Sequence, residues 1–197
     1  MQNKITIINA FDAEDFFIEK LSKEYDNAVT ENGMVSELLF ISSMNFSFAP
    51  FPQQYNFDTL ERDLQESVNA IKSASTLAFF TSYHTRKHIN PAFAQFVSRL
   101  FHLQNGGVNK SIWGEDATYN KRIRIISVID DIATWKKYKF KKDASILPIN
   151  KIDFSLFGFD EVFTSTFGYL QDNEMNEYGL KCLSRMHDFA LSDCLNK

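Results

Sequence analysis

Cysteine is scarce in this chain of 197 residues: Cys182 and Cys194 are the only two. They lie twelve positions apart in a helix-like stretch, about 18 Å along the axis at 1.5 Å per residue. A disulfide between them would require unwinding that helix, and neither thiol has metal-ligand spacing, so a stapled scaffold and a zinc module are both excluded. Proline (4) and glycine (7) are few; collagen-like and low-complexity classes drop out, and no glycine-rich phosphate loop is present. No apolar run reaches the roughly 18 residues that a membrane span needs, so no membrane partner is expected. The start, Met1-Gln-Asn-Lys-Ile-Thr-Ile-Ile8, enters a strand-like run with no charged n-region or long apolar h-region. A secretory signal is therefore not expected, and a cytoplasmic address is. Positive charge is also short, 21 Lys and Arg against 25 Asp and Glu. A net charge of −4 offers nucleic acid no attractive field, and none is expected as a partner. The one dense basic tract, 136–142, reads as a solvated loop able to attract an anion.

What is abundant is apolar and aromatic. Hydrophobic residues make up 44% of the chain and phenylalanine alone occurs 20 times, a composition for a globular protein with an aromatic interior. The length suits a single domain, 1–197, large enough to bury a substantial core.

Strand-like and helix-like segments alternate. Strands are predicted at 5–9, 36–41, 76–82, 122–129 and 161–167, and helices at 13–25, near 60–71, from Asn90-Pro91 through about Gln104, and over 173–195. Turn signals punctuate them: a hairpin-like Glu31-Asn-Gly33, a capping box of Asp58 with Glu61, and Asn105-Gly106-Gly107 closing the third helix. On the last helix Met175, Tyr178, Cys182, Met186 and Phe189 mark an apolar stripe. Apolar strands separated by helices imply parallel pairing through right-handed crossovers. The expected fold is thus α/β: a three-layer sandwich around a five-stranded parallel sheet in the order 2-1-3-4-5. Ligands of such sheets sit outside the carboxyl ends of the strands at the switch point, here between the first and third strands. That selects Asn9, Phe11 and Phe16 after the first strand, Thr81, Ser82, Tyr83 and His84 after the third, and Ser127 with Asp130 after the fourth.

The run Asp63-Leu-Gln-Glu66 followed by Ile71-Lys-Ser-Ala-Ser-Thr-Leu-Ala-Phe-Phe80 resembles the passage from helix to third strand in the flavodoxin-like NAD(P)H-dependent oxidoreductases, the FMN reductase and quinone reductase group. Tyr83 stands where that family carries an aromatic beside the flavin ring. Asn90-Pro-Ala-Phe-Ala-Gln-Phe-Val-Ser-Arg-Leu-Phe101 is similar to the family's third helix. Asn45-Phe-Ser-Phe-Ala-Pro50 and Phe154-Ser-Leu-Phe-Gly-Phe159 resemble its tracts after the second strand and before the fifth. The resemblance spans most of the chain. It implies a flavodoxin-like fold, noncovalent FMN, NAD(P)H as hydride donor, a small-molecule electron acceptor of quinone or flavin type, and a homodimer. It also implies a flavin ring against Tyr83 and His84 and a phosphate near 9–16.

The residues depart from the family pattern in one direction. The loop meant for phosphate reads Asn9-Ala-Phe-Asp-Ala-Glu-Asp-Phe16, and Asp12, Glu14 and Asp15 repel a phosphate dianion while Asp12 caps the coming helix. Thr81 replaces a proline, and Ser127-Val-Ile-Asp-Asp131 holds no glycine to admit the flavin edge. Two readings therefore stand: an FMN-dependent oxidoreductase, or a degenerate member that has lost FMN and acts as a non-catalytic binding or interaction protein. Smaller possibilities attach to His84 and His88 with Arg86 and Lys87 as an anion site, to Asp130 and Asp131 as assisting carboxylates, and to Trp135 stacking with Tyr83 on a planar ring. The apolar stretches 46–51 and 96–101 are the surfaces expected to pair two copies.

Overall fold

Alternation of Ile, Phe and Ala in the central strands puts apolar side chains on both faces, as a parallel sheet covered by two helical layers demands. The structure, a computed structural model, describes residues 4–10, 16–47, 56–83, 91–100, 103–104, 107–108, 113, 121–129, 132–141, 159–168 and 177–195. Its sheet strands are β1 (Lys4–Asn9), β2 (Val35–Phe40), β3 (Thr76–Tyr83), β4 (Lys121–Ile129) and β5 (Phe159–Gly168). All pair in parallel, in the spatial order β2-β1-β3-β4-β5. This is the flavodoxin-like order read from the sequence, and the fold is flavodoxin-like. The helices are α1 (Phe16–Glu31), α2 (Arg62–Ser73), α3 (Pro91–Leu100), α4 (Ile132–Lys141) and α5 (Glu177–Leu195).

Two apolar clusters lie on opposite faces of the sheet. On one, Ile8, Leu77, Phe79, Ile123 and Ile125 meet Leu64, Val68 and Ile71 of α2 and Phe93, Phe96 and Leu100 of α3. On the other, Ile5, Ile7, Ala78, Phe80, Ile126 and Val128 meet Leu21 and Tyr25 of α1 and Cys182, Met186 and Ala190 of α5. The second layer also encloses an ion pair. Arg124 of β4 donates through Nε and Nη2 to the two carboxylate oxygens of Asp193 on α5, the latter at 2.7 Å, and Tyr25 of α1 donates its hydroxyl to the same carboxylate at 2.6 Å. The guanidinium lies over the Phe163 and Phe189 rings, 5.3 and 4.7 Å from their centroids. Burial opposes the charge on Arg124, but the bonds to Asp193 outweigh it and raise its pKa. The Tyr25 hydroxyl is pushed well above its ordinary value, first by burial and then by the Asp193 carboxylate.

Local details depart from the sequence reading for physical reasons. Glu31-Asn-Gly33 is no hairpin turn. It caps α1: Gly33 at φ +75° donates to Thr30 O at 2.9 Å and Met34 N–H to Val29 O at 3.2 Å, a Schellman motif that turns the chain into a parallel strand. The capping box is Asn56 with Thr59, closing a 3₁₀ turn. Glu61 does not cap α2 with its side chain, because Arg99 binds both its oxygens at 2.7 Å and Ser47 N–H donates to it at 2.9 Å. The Arg99 guanidinium and the Ser47 N–H occupy the oxygens that a cap would use. The helix expected to run through Gln104 ends at Leu100, and Leu103–Gln104 pairs antiparallel with Gly107–Val108. The basic tract expected as a loop is helical through Lys141, and Lys136, Lys137 and Lys139 face solvent, lysine being a good helix former. Tyr178, assigned to the apolar stripe of α5, is 40% exposed; the stripe continues instead through Ala190 and Cys194. Both cysteines are buried and free, as their spacing required. Of the surfaces expected to pair two copies, Phe46, Phe96 and Leu100 are buried in the α2–α3 layer, while 48–51 and Phe101 lie outside the described residues.

Candidate functional site

The two edges of the sheet carry opposite kinds of polar residue. At the amino edge, Lys121 opens β4 and its ammonium donates to Lys72 O at 2.8 Å and to Ala74 O, holding the carbonyl end of α2. Burial lowers its pKa, and both contacts are spent on the backbone. A cation at a helix carboxyl end is a stabilising device. Among the described residues at the carboxyl ends of β1, β3 and β4, Asn9, Thr81 and Ser127 are small and neutral. Asn9 ends β1 and is 2% exposed; its amide donates to Ser22 Oγ at 2.8 Å, and Ser22 Oγ donates to Glu19 O at 2.9 Å. One residue on, Ala10 N–H donates to Phe80 O at 2.8 Å, carrying the β1–β3 ladder to the point where the strands part.

Across the crevice, Thr81 of β3 is in register with Ser127 of β4, and Ser127 with Thr166 of β5. Parallel partners in register point to the same face. Alternation from Phe79 and Ile125 places this hydroxyl row on the α2–α3 side, whereas Asn9 faces α1. Thr81 and Ser127 are buried and Thr166 is half-buried. Sequence reasoning selected the first two but missed Thr166; its signal was a polar Thr164-Ser-Thr166 run interrupting an apolar strand. Such a row can donate to and accept from a polar heterocycle, and it supplies no charge.

The remaining selected residues fall as follows. Ser82 and Tyr83 are the last residues of β3, in register with Val128 and Ile129. Phe16 is the first residue of α1. Phe11, His84 and Asp130 lie outside the described residues, as do Asp12, Asp15, Arg86, Lys87, His88 and Asp131. The structure thus brings Asn9, Thr81, Ser82, Tyr83 and Ser127 to one edge around the β1–β3 parting. The Trp135 indole stacks on Tyr138 (5.7 Å, 16°) and rests on the backbone of Gly168 at the end of β5.

One other feature near the edges is structural. A cavity of about 660 Å³ between the segment after β2 and the start of α2 is bordered by Ser47, Glu61 and Asp63. Asp63 accepts from Asn45 N–H at 2.6 Å. Burial raises the Glu61 carboxyl, yet the Ser47 N–H and Arg99 bring it below its usual range. Among the described residues no group of three or more His, Cys, Asp or Glu is placed to hold a metal, and no helix is long and apolar enough to cross a membrane.

No family model matches the chain, and no curated protein matches it in sequence. Solved structures do share its architecture. An NAD(P)H:quinone oxidoreductase from Methanothermobacter marburgensis superposes with a TM-score of 0.71 at 13% identity, covering 96% of this chain and 98% of that one. An FMN-dependent NADH-azoreductase from Bacillus anthracis, in complex with FMN, gives 0.61 at 15% identity over 96% and 98%. A flavodoxin from Streptococcus pneumoniae gives 0.54 at 9% identity over 95% of each chain. The class that fold and comparison define is the flavodoxin-like α/β sandwich. At these identities the likeness is one of fold.

Proposed function

We propose that this chain is a flavodoxin-like oxidoreductase that uses FMN to pass hydride from NAD(P)H to a quinone-like or flavin acceptor, as a cytoplasmic homodimer of one domain. The observation that carries the reading is the hydroxyl row Thr81–Ser127, with Asn9 on the opposite face of the same strand ends, in a fold shared with an enzyme in complex with FMN. The donor set supports the ring end of a flavin: neutral hydroxyls, carrying no charge of their own, and a strand end at Tyr83. Thr81 and Ser127 would meet the polar edge of the ring, and Tyr83 would lie beside it. FMN, when bound, supplies the hydride chemistry, and the protein's part is to position it and exclude water.

The role of Asn9 is to hold the β1–α1 junction through Ser22, fixing where the phosphate loop begins. A specific feature favours a second reading, in which flavin has been lost and the chain binds a partner instead: the sequence segment 9–16, which the resemblance assigns to the phosphate, carries three acidic residues, Asp12, Glu14 and Asp15. One titration separates the two. Adding the protein to FMN is expected to quench flavin fluorescence with saturation and 1:1 stoichiometry. No quenching at millimolar protein removes the oxidoreductase reading and leaves the second. In the Asp12→Ser/Asp15→Ser double variant FMN is expected to bind about thirtyfold more tightly, since each of the two unit charges removed beside a phosphate near the surface is worth on the order of 1 kcal/mol, and about 1.4 kcal/mol is tenfold. Unchanged affinity would move the phosphate away from that loop.

A further inference from the structure

We infer that the cleft between α4, the end of β5 and α5 is a second small-molecule site, for a planar aromatic anion of two or three rings. It lies at the edge strand, two strands from the β1–β3 parting, and stands whether or not that parting holds flavin. The cavity measures about 580 Å³, within the range of ordinary ligand pockets.

Its walls are aromatic and held in place. Trp135 is fixed by Tyr138, stacked at 5.7 Å, and by Gly168, whose missing side chain makes room: a Cβ there would lie 1.7 Å from the indole Cδ2. Tyr178 faces the cavity from α5. Gly168 N–H donates to its hydroxyl at 3.3 Å. Both rings are thus anchored before any ligand arrives, which reduces the ordering cost of binding.

The rim shows what the cavity would take. Phe140 is 84% exposed and Ile132 46% exposed, large apolar groups left in water along the cavity's α4 wall. Exposed apolar groups beside a cavity suit an apolar ligand. Lys136 and Lys139 lie between them on the same helix, and the described residues lining the cavity include no carboxylate. Apolar walls of ring width with two ammonium groups at the rim complement a flat apolar body carrying a sulfonate or carboxylate. A neutral ring forgoes the ammonium contacts, and a non-planar anion forgoes the aromatic ones.

The test is an NMR titration of the full-length, ¹⁵N-labelled protein with naphthalene-2-sulfonate, with 2-naphthol and cyclohexanesulfonate as comparators. Saturable 1:1 binding is expected, with the largest shifts at Gly168 and the amides of α4. Binding should be about tenfold weaker in the Lys136→Glu/Lys139→Glu variant, the size expected from reversing two rim charges. These lysines are solvent-exposed, so that variant keeps its core, and its unshifted ¹⁵N spectrum away from α4 checks this. The inference is overturned by non-saturating shifts at millimolar probe, by equal affinity for either comparator, by affinity unchanged on charge reversal, or by shifts centred on Asn9, Thr81 and Ser127. Loss of FMN binding alone, with naphthalene-2-sulfonate still bound, would sink the flavin reading and leave this one intact.

Discussion

At the scale of single residues, Tyr25 is a sensitive reporter of the fold. Its hydroxyl binds a carboxylate that already neutralises Arg124, inside the layer between α1, α5 and the sheet. A hydrogen bond to a charged group contributes roughly 1.5–3 kcal/mol. Tyr25→Phe, which keeps the ring and its edge contact with Phe80, is therefore expected to lose about 2 kcal/mol in urea unfolding at pH 7. The pH dependence follows from the raised pKa of this phenol. The folded state holds the proton to higher pH than the unfolded chain, so this stability is complete below about pH 10. It is lost as pH rises above that value, toward the folded pKa. Stability curves of wild type and Tyr25→Phe should converge above pH 10, and parallel curves would show that the phenol is not the titrating group. In the sequence Tyr25 stands at helical spacing from Leu21 and reads as one more apolar ring. Its polar end was illegible because the partner carboxylate lies at Asp193, on the last helix, and nothing local announces a contact between such distant residues.

At the scale of elements, the sequence disclosed periodicity and hid termini. The five strands and their order were legible, since apolar runs of strand length separated by helical patterns leave few parallel topologies. Element ends were not. Glu61 looks like a capping residue until Arg99, far along the chain, claims both its oxygens. Likewise 136–141 looks like a charged loop until Trp135 ties that helix to β5. The α4–β5 junction can be tested directly. Gly168→Ala places a Cβ inside the Trp135 ring, so the indole must move, and overpacking of this kind costs about 1–3 kcal/mol. Trp135→Leu in the same chain is expected to recover most of that loss, and the non-additivity in thermal unfolding measures the contact. Additive effects would show that the two residues do not meet. Of the candidate site, the strand ends Asn9, Thr81 and Ser127 could be selected from topology. The hydroxyl row they belong to could not, because Thr166 joins it only through the β4–β5 register.

At the scale of the whole molecule, the apolar layers and the buried charges are assembled from opposite ends of the chain. The α1 face is covered by α5, and Arg124 in the middle of the sheet draws its counter-charge from Asp193. Removing one partner of a buried ion pair costs about 3–5 kcal/mol, a large share of the roughly 5–15 kcal/mol that holds a typical domain together. A chain ending at 176 is accordingly expected to show no cooperative thermal transition by circular dichroism, and a sharp transition would refute the dependence. The order of synthesis then acquires a meaning. Every strand of the sheet has left the ribosome before Asp193 does, so the nascent chain carries a finished set of strands around an uncompensated guanidinium. Completion of the fold waits on one late carboxylate, and premature termination even shortly before it yields an incomplete core rather than a shorter working protein.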